Sequence, residues 1–237
     1  MSEWKSCPDF DLAKLSEFDP KIFDWDTKDK DLRDFYAFII TLGLVYNDFK
    51  DLAWWQKQLD QAPPKKDEVS TYFGQWNGMS IHVSRLTLGL YREFLKMVRE
   101  NSKVLEGEAF CTVLKKVSAR HREDWKKIVK ESTDDELLSV LEELRSNIAF
   151  HYANTRGIFN GYKNAFKDSK ELQKQKCYFS LGNNILSTRF YFSDAAVRGY
   201  ADKFNDKKIE YLLMEMNTSV RRIVSEGINH CLELSKR

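Results

Sequence analysis

From about Lys28 to Gln61 the apolar residues Leu32, Phe35, Ile39, Leu42 and Tyr46 recur at steps of three and four, and Pro63 and Pro64 end the run. Those steps are the period of an α-helix with one face against a core. A proline pair stops such a helix, because each ring removes an N–H and crowds the turn before it. The same period predicts a second helix from about Asp67 to Glu100, on Ile81, Leu88, Tyr91, Leu95 and Val98, with Gly74, Gly78 and Gly89 permitting close packing or a bend. A third is predicted over about Glu106 to Lys130, carrying Phe110, Val113, Leu114, Val117, His121, Trp125 and Ile128. Thr133 followed by Glu136 forms a capping box, so a fourth helix opens there with Leu137, Leu141, Leu144 and Ile148 as its apolar face.

The second half is less periodic. GIFNGYKNAFKD reads as either a short helix or a helical loop, and KCYFSLGNNILSTRFYFSD, aromatic and β-branched around Asn-Asn, suits a small β-hairpin near 177–192. Asp194 is placed to open a short helix, and Asp206 to cap a last long one reaching about Leu234. Residues 1–27 are acidic and irregular, with Pro8, Pro20, Trp4 and Trp25, and read as a segment wrapping the core. The expected fold class is all-α: an elongated up-and-down helical bundle forming a single domain over 1–237. With 42% hydrophobic and 31% charged residues, the chain has the balance of a folded protein rather than a disordered one.

Several function classes lose support. The net charge of +2 does not call for nucleic acid by itself, although a local basic patch is compatible with it. Cys7, Cys111, Cys177 and Cys231 are widely spaced, which argues against a disulfide framework or zinc site and for a reducing compartment. MSEWKSCPDFDLAK has no signal-peptide pattern, and Phe35 to Tyr46, the most apolar run, is too short to span a bilayer. A cytoplasmic location without membrane contact is expected. HExxH, ExxH, glycine-rich phosphate loops and GxSxG are all missing, so neither metal nor cofactor is expected. Cys–His catalysis has no local signature but stays open. His82 and His230 read as packing residues. His121, in ARHREDWKK, is either on a solvated face beside Trp125 or part of an RNA-facing patch with Arg120, Arg122, Lys126, Lys127 and Lys130.

The stretch LRSNIAFHYANTR, 144–156, concentrates the remaining polar chemistry. On a wheel at 100° per residue starting from Leu137, Leu141, Leu144 and Ile148 fall within about 40° of zero, Arg145 near 80° and His151 near 320°. Arg145 and His151 thus flank opposite borders of the packed face, roughly 120° and 9 Å apart on a straight helix. Asn147, four residues before His151, is placed to orient the imidazole. A symmetric dimer would bring two such helices together more readily than one chain closes the gap. An arginine and a histidine so joined can cleave a phosphodiester: the guanidinium holds the transition-state charge and the imidazole moves a proton, with no metal. Spacing alone equally allows both residues to be satisfied structural polar groups.

An Arg, a polar neighbour and a His within four to six residues, late in a bundle helix, resembles the signature of HEPN domains. RSNIAFHYANTR carries that pattern, with QWNGMSIHVSRLTLG and FNGYKNAFKD as surrounding context, and is similar to the abortive-infection-associated branch. The resemblance implies a helical, usually dimeric fold and a metal-independent endoribonuclease of a toxin–antitoxin or phage-defence system. It implies Arg145 as phosphate-binding group, His151 as proton-transfer group and Asn147 as polar helper, with Ser146, Tyr152 and Arg156 contacting substrate. It also implies RNA, a second copy and a cognate antitoxin protein as partners. Where the family commonly has Asn, Asp or His directly after the arginine, this chain has Ser146. The alternative reading is a non-catalytic HEPN-like helical module that binds nucleic acid or a protein. A buried Arg145 paired to an acidic residue, far from any symmetry axis or cleft, would support that reading.

Overall fold

A computed structural model describes residues 17–64, 70–146, 155–167, 178–183, 188–201 and 207–236. The fold is an all-α bundle. Its helices are α1 (Lys30–Gln61), α2 (Thr71–Glu100), α3 (Ser102–Glu106), α4 (Glu108–Lys116), α5 (Ala119–Ser132), α6 (Asp135–Leu144), α7 (Thr155–Lys167), α8 (Tyr191–Ala201) and α9 (Lys207–Leu234). The long helices α1, α2 and α9 frame the bundle, α4 and α5 pack on α9, α6 lies on α2, and α7 and α8 form a hairpin seated on α2 through α8. Among the described residues no helix is long and apolar enough to cross a membrane.

Side-chain caps set the helix starts. Asp29 accepts from the N–H groups of Asp31 and Leu32, Ser70 from Phe73, Ser118 from His121 and Asp134 from Leu137. Each satisfies amide protons that the first helical turn leaves unpaired. The helix expected over Glu106 to Lys130 is two helices instead, α4 and α5, with the short α3 ending at Glu106 before them. Gly107 separates α3 from α4, and Val117, at φ −80° and ψ 157°, ends α4 before Ser118 caps α5. Arg122 closes that break by donating from Nη1 to the carbonyls of Val117 (2.6 Å), Lys115 (3.3 Å) and Leu114 (3.4 Å). The capping box on Thr133 is also corrected. Thr133 Oγ1 donates to the Lys130 carbonyl at the end of α5, and Asp134 caps α6. Asp194 does not open α8, which begins at Tyr191. It accepts from Arg189 Nε (2.9 Å) and Nη2 (3.1 Å) instead. Asp206 lies outside the described residues.

The hairpin expected near 177–192 is represented by one antiparallel bridge, Ser180 with Arg189, whose backbone groups exchange hydrogen bonds of 2.8 and 2.9 Å. No strand forms among the described residues. The bridge seats Arg189 over Gly78 and the Tyr191 ring over Gly74, on α2, where a Cβ would collide with either side chain. Of the N-terminal segment, residues 17–27 are described, and Ile22, in a 3-10 turn capped by Asp19, is buried against the core.

The main core is one cluster joining all the long helices, with Phe35, Ile39, Leu42, Tyr91, Phe94, Leu95 and Ile223 among its fully buried side chains. Tyr91 has its ring wholly inside and donates its hydroxyl to Glu131 Oε2 at 2.7 Å. Burial, and then the Glu131 carboxylate, hold its pKa far above the ordinary tyrosine value of 10. The folded state therefore keeps this phenol neutral, and its contribution is intact below about pH 10 and is lost as rising pH ionises the unfolded chain. Tyr91→Phe is expected to cost about 1–2 kcal/mol at neutral pH. It should also unfold less steeply with alkali than wild type, as chemical denaturation at pH 7 and above pH 10 would register.

Candidate functional site

Arg145 follows the last residue of α6, at φ −59° and ψ −50°, and it and Ser146 continue the chain as a wider π-helical turn. A π turn advances less per residue than an α turn, so the wheel drawn through His151 loses its phase at Arg145. Asn147, His151 and Tyr152 lie outside the described residues. Arg156 is exposed in the first turn of α7.

The surroundings of Arg145 are carboxylates. Its Nε lies 3.1 Å from Glu93 Oε1 on α2 and its Nη1 3.5 Å from Glu142 Oε1, one turn back on α6. Arg92, the neighbour of Glu93, pairs with both Glu93 (3.0 Å) and Glu142. Ser146 donates to Glu142 Oε1 at 3.1 Å. Two arginines and two glutamates thus alternate across the α2–α6 contact, and Ser146 is spent on the same network. The Arg145 side chain is 29% exposed, so single pairs here are worth about 0–1 kcal/mol each, more when several share a network.

Arg145 also lines an open groove of about 520 Å³ between α1 and α2. Leu52, Trp55, Leu86 and Leu90 supply its apolar wall, and buried Gly89 lies along α2 between them. Asp48, Asp51 and Glu93 bring three carboxylates against the one guanidinium, a net charge of −2 around the cavity. The lining positions on α1 and α2 step by three and four, which places them on one face of each helix. No sequence pattern announces this groove, because its two walls come from separate helices.

Other catalytic constellations resolve into structure. His121 Nδ1 sits 3.3 Å from Ser219 Oγ, which donates to Asp124 Oδ2 at 3.0 Å. These are the residue types of a hydrolase triad in the wrong order, with serine between acid and histidine rather than at the exposed end. Ser219 is fully buried. The set fixes α9 on α5. In the basic stretch around it, Lys126 pairs with Glu123 and Lys127 with Asp124, while Arg122 is committed to the α4 carbonyls. His230 is a packing residue, buried edge-on to Phe35 with centroids 5.9 Å apart. His82, in contrast to its expected role, is exposed on α2, and partial desolvation, Arg85 and Arg189 lower its pKa. Cys231 is fully buried, which pushes its thiol up to about 12 and denies it a thiolate for Cys–His chemistry near neutrality. Among the described residues no group of His, Cys, Asp or Glu is placed to hold a metal ion.

Comparison with known proteins finds no matching family model, curated protein or solved structure. The fold and the site define the class: an all-α bundle with an acid-rimmed groove between two of its long helices.

Proposed function

We propose that this chain is a HEPN-like helical binding module in which Arg145 is a structural member of the groove wall rather than a phosphate clamp. The observation that carries this reading is the engagement of Arg145 by Glu93 and Glu142 at the edge of a groove with net charge −2. A phosphate reaching the guanidinium has to displace two carboxylates and approach Asp48 and Asp51. A like charge 8 Å away costs about 2 kcal/mol at an effective dielectric constant near 20.

A second reading, metal-independent RNA cleavage by a dimer with Arg145 and His151 in a composite site, is favoured by the RSNIAFHY pattern and by the position of Arg145 in an open groove. Incubation of purified protein with RNA in EDTA separates the two. The binding-module reading expects intact RNA with wild type, and a lowered melting temperature for Arg145→Ala with no RNA phenotype. Cleavage by wild type that His151→Ala and Arg145→Ala both abolish would overturn it in favour of the nuclease.

A further inference from the structure

We propose that the α1–α2 groove binds a hydrophobic organic cation, an ammonium group carrying an alkyl or aryl body. The inference rests on the binding-module reading for its location and supplies the ligand chemistry. Cavities of 300–1,000 Å³ with mostly apolar walls and a few placed polar groups are the usual form of small-ligand sites, and this groove has about 520 Å³. Leu52, Leu86 and Leu90 offer the apolar surface, and Trp55, 47% exposed, presents an aromatic ring at the same wall.

The charge decides the sign of the ligand. Glu93 is matched by Arg92 and Arg145, and Asp51 by Lys50 at 3.0 Å, an exposed pair worth little. Asp48 makes no ion pair or hydrogen bond among the described residues, so its carboxylate faces the groove uncompensated. Asp48 and Asp51 lie one turn apart on α1, with Trp55 one turn beyond Asp51. A cation held at that edge meets two carboxylates and a ring face, while its chain lies along the leucines. Aromatic faces with nearby carboxylates suit ammonium groups, since the ring quadrupole adds to the ionic attraction and offsets part of the cost of desolvating the charge. An anion of the same shape gains only the apolar contact and meets the repulsion.

Octyltrimethylammonium and octanesulfonate, titrated below their micellar concentrations into the full chain by calorimetry and NMR, test the proposal. The cation is expected to bind saturably at one site and more weakly at higher salt, and the sulfonate not to bind there. Asp48→Asn/Asp51→Asn is expected to weaken the cation about tenfold or more, and Trp55→Ala to weaken it as well. All three residues are exposed on α1, and the melting temperature of each variant checks that the fold is kept. Equal binding of the two probes, or an unchanged affinity in the double asparagine variant, would overturn the proposal. So would binding of a Leu/Lys amphipathic helical peptide where the small cation does not bind, since the occupant would then be a partner chain. RNA cleavage in EDTA would remove the binding-module reading without altering this titration, so the two fail separately.

Discussion

Replacing Trp125 with alanine is expected to lower unfolding free energy by about 3–5 kcal/mol, the range for deleting a buried large aromatic. Trp125 is 2% exposed on α5 and touches aromatic rings from two other helices: Phe38 of α1 edge-on at 6.4 Å and Phe110 of α4 tilted at 5.5 Å. Phe38 and Phe110 also meet edge-on at 5.5 Å. The three rings form the junction at which the broken α4–α5 segment is held to α1. Removing the indole takes away apolar burial and the offset ring geometry together, and the surrounding side chains can fill only part of the space. The asymmetry with Trp125→Phe is informative: a smaller aromatic keeps the ring contacts and should cost much less. Urea denaturation with an unchanged m-value would show the loss as one of stability alone. A loss under about 1 kcal/mol for the alanine variant would mean that the junction collapses freely and is not close-packed.

How much of this was legible in the sequence depends on range. The spacing of apolar residues reports which face a helix buries, so α1 and most of α2 follow from it directly. The break at Val117 does not, because the apolar steps from Phe110 through Val117 to Trp125 continue in phase across it, and its cause, Arg122 folding back on three carbonyls, is a contact rather than a pattern. In STDDE the sequence offers several capping residues in a row, and the competition is decided by Thr133 finding an acceptor in the turn behind it. The site divides in the same way. The wheel sets Arg145 beside a packed face, but its partner Glu93 stands on a different helix far upstream, and the π turn at Arg145 removes the geometric basis for extending the wheel to His151. The groove is wholly a product of tertiary packing, so no motif announces it.

The second large effect is a steric one, expected at Gly199. The α7 and α8 backbones approach most closely there: a Cβ on residue 199 would collide with the Gly161 carbonyl oxygen and stand 2.8 Å from the Ala165 nitrogen and 3.0 Å from its Cβ. Backbone atoms cannot rotate out of the way as a side-chain end can, so Gly199→Ala must push the two helices apart. A mid-helix alanine brings back up to about 1 kcal/mol of helix propensity, but overpacking a tight contact costs about 1–3 kcal/mol or more, and the net should be destabilising. The strain passes along α8 to Asp194, which holds Arg189 against Gly78, so loss of protection should spread from α7–α8 to the first half of α2 in hydrogen exchange. Two other helical glycines provide the scale. At Gly227 the new Cβ meets the side chain of buried Ile39, with Cδ1 at 2.7 Å and Cγ2 at 3.1 Å, so a side chain rather than backbone must shift and the cost should be intermediate; at Gly43 the nearest atom is Val224 Cγ1 at an ordinary 3.8 Å, so alanine there should be neutral or stabilising. The order Gly43, Gly227, Gly199 in rising cost is the result that close backbone packing of α7 on α8 requires. Equal effects at all three would mean that propensity, and not contact, sets the outcome.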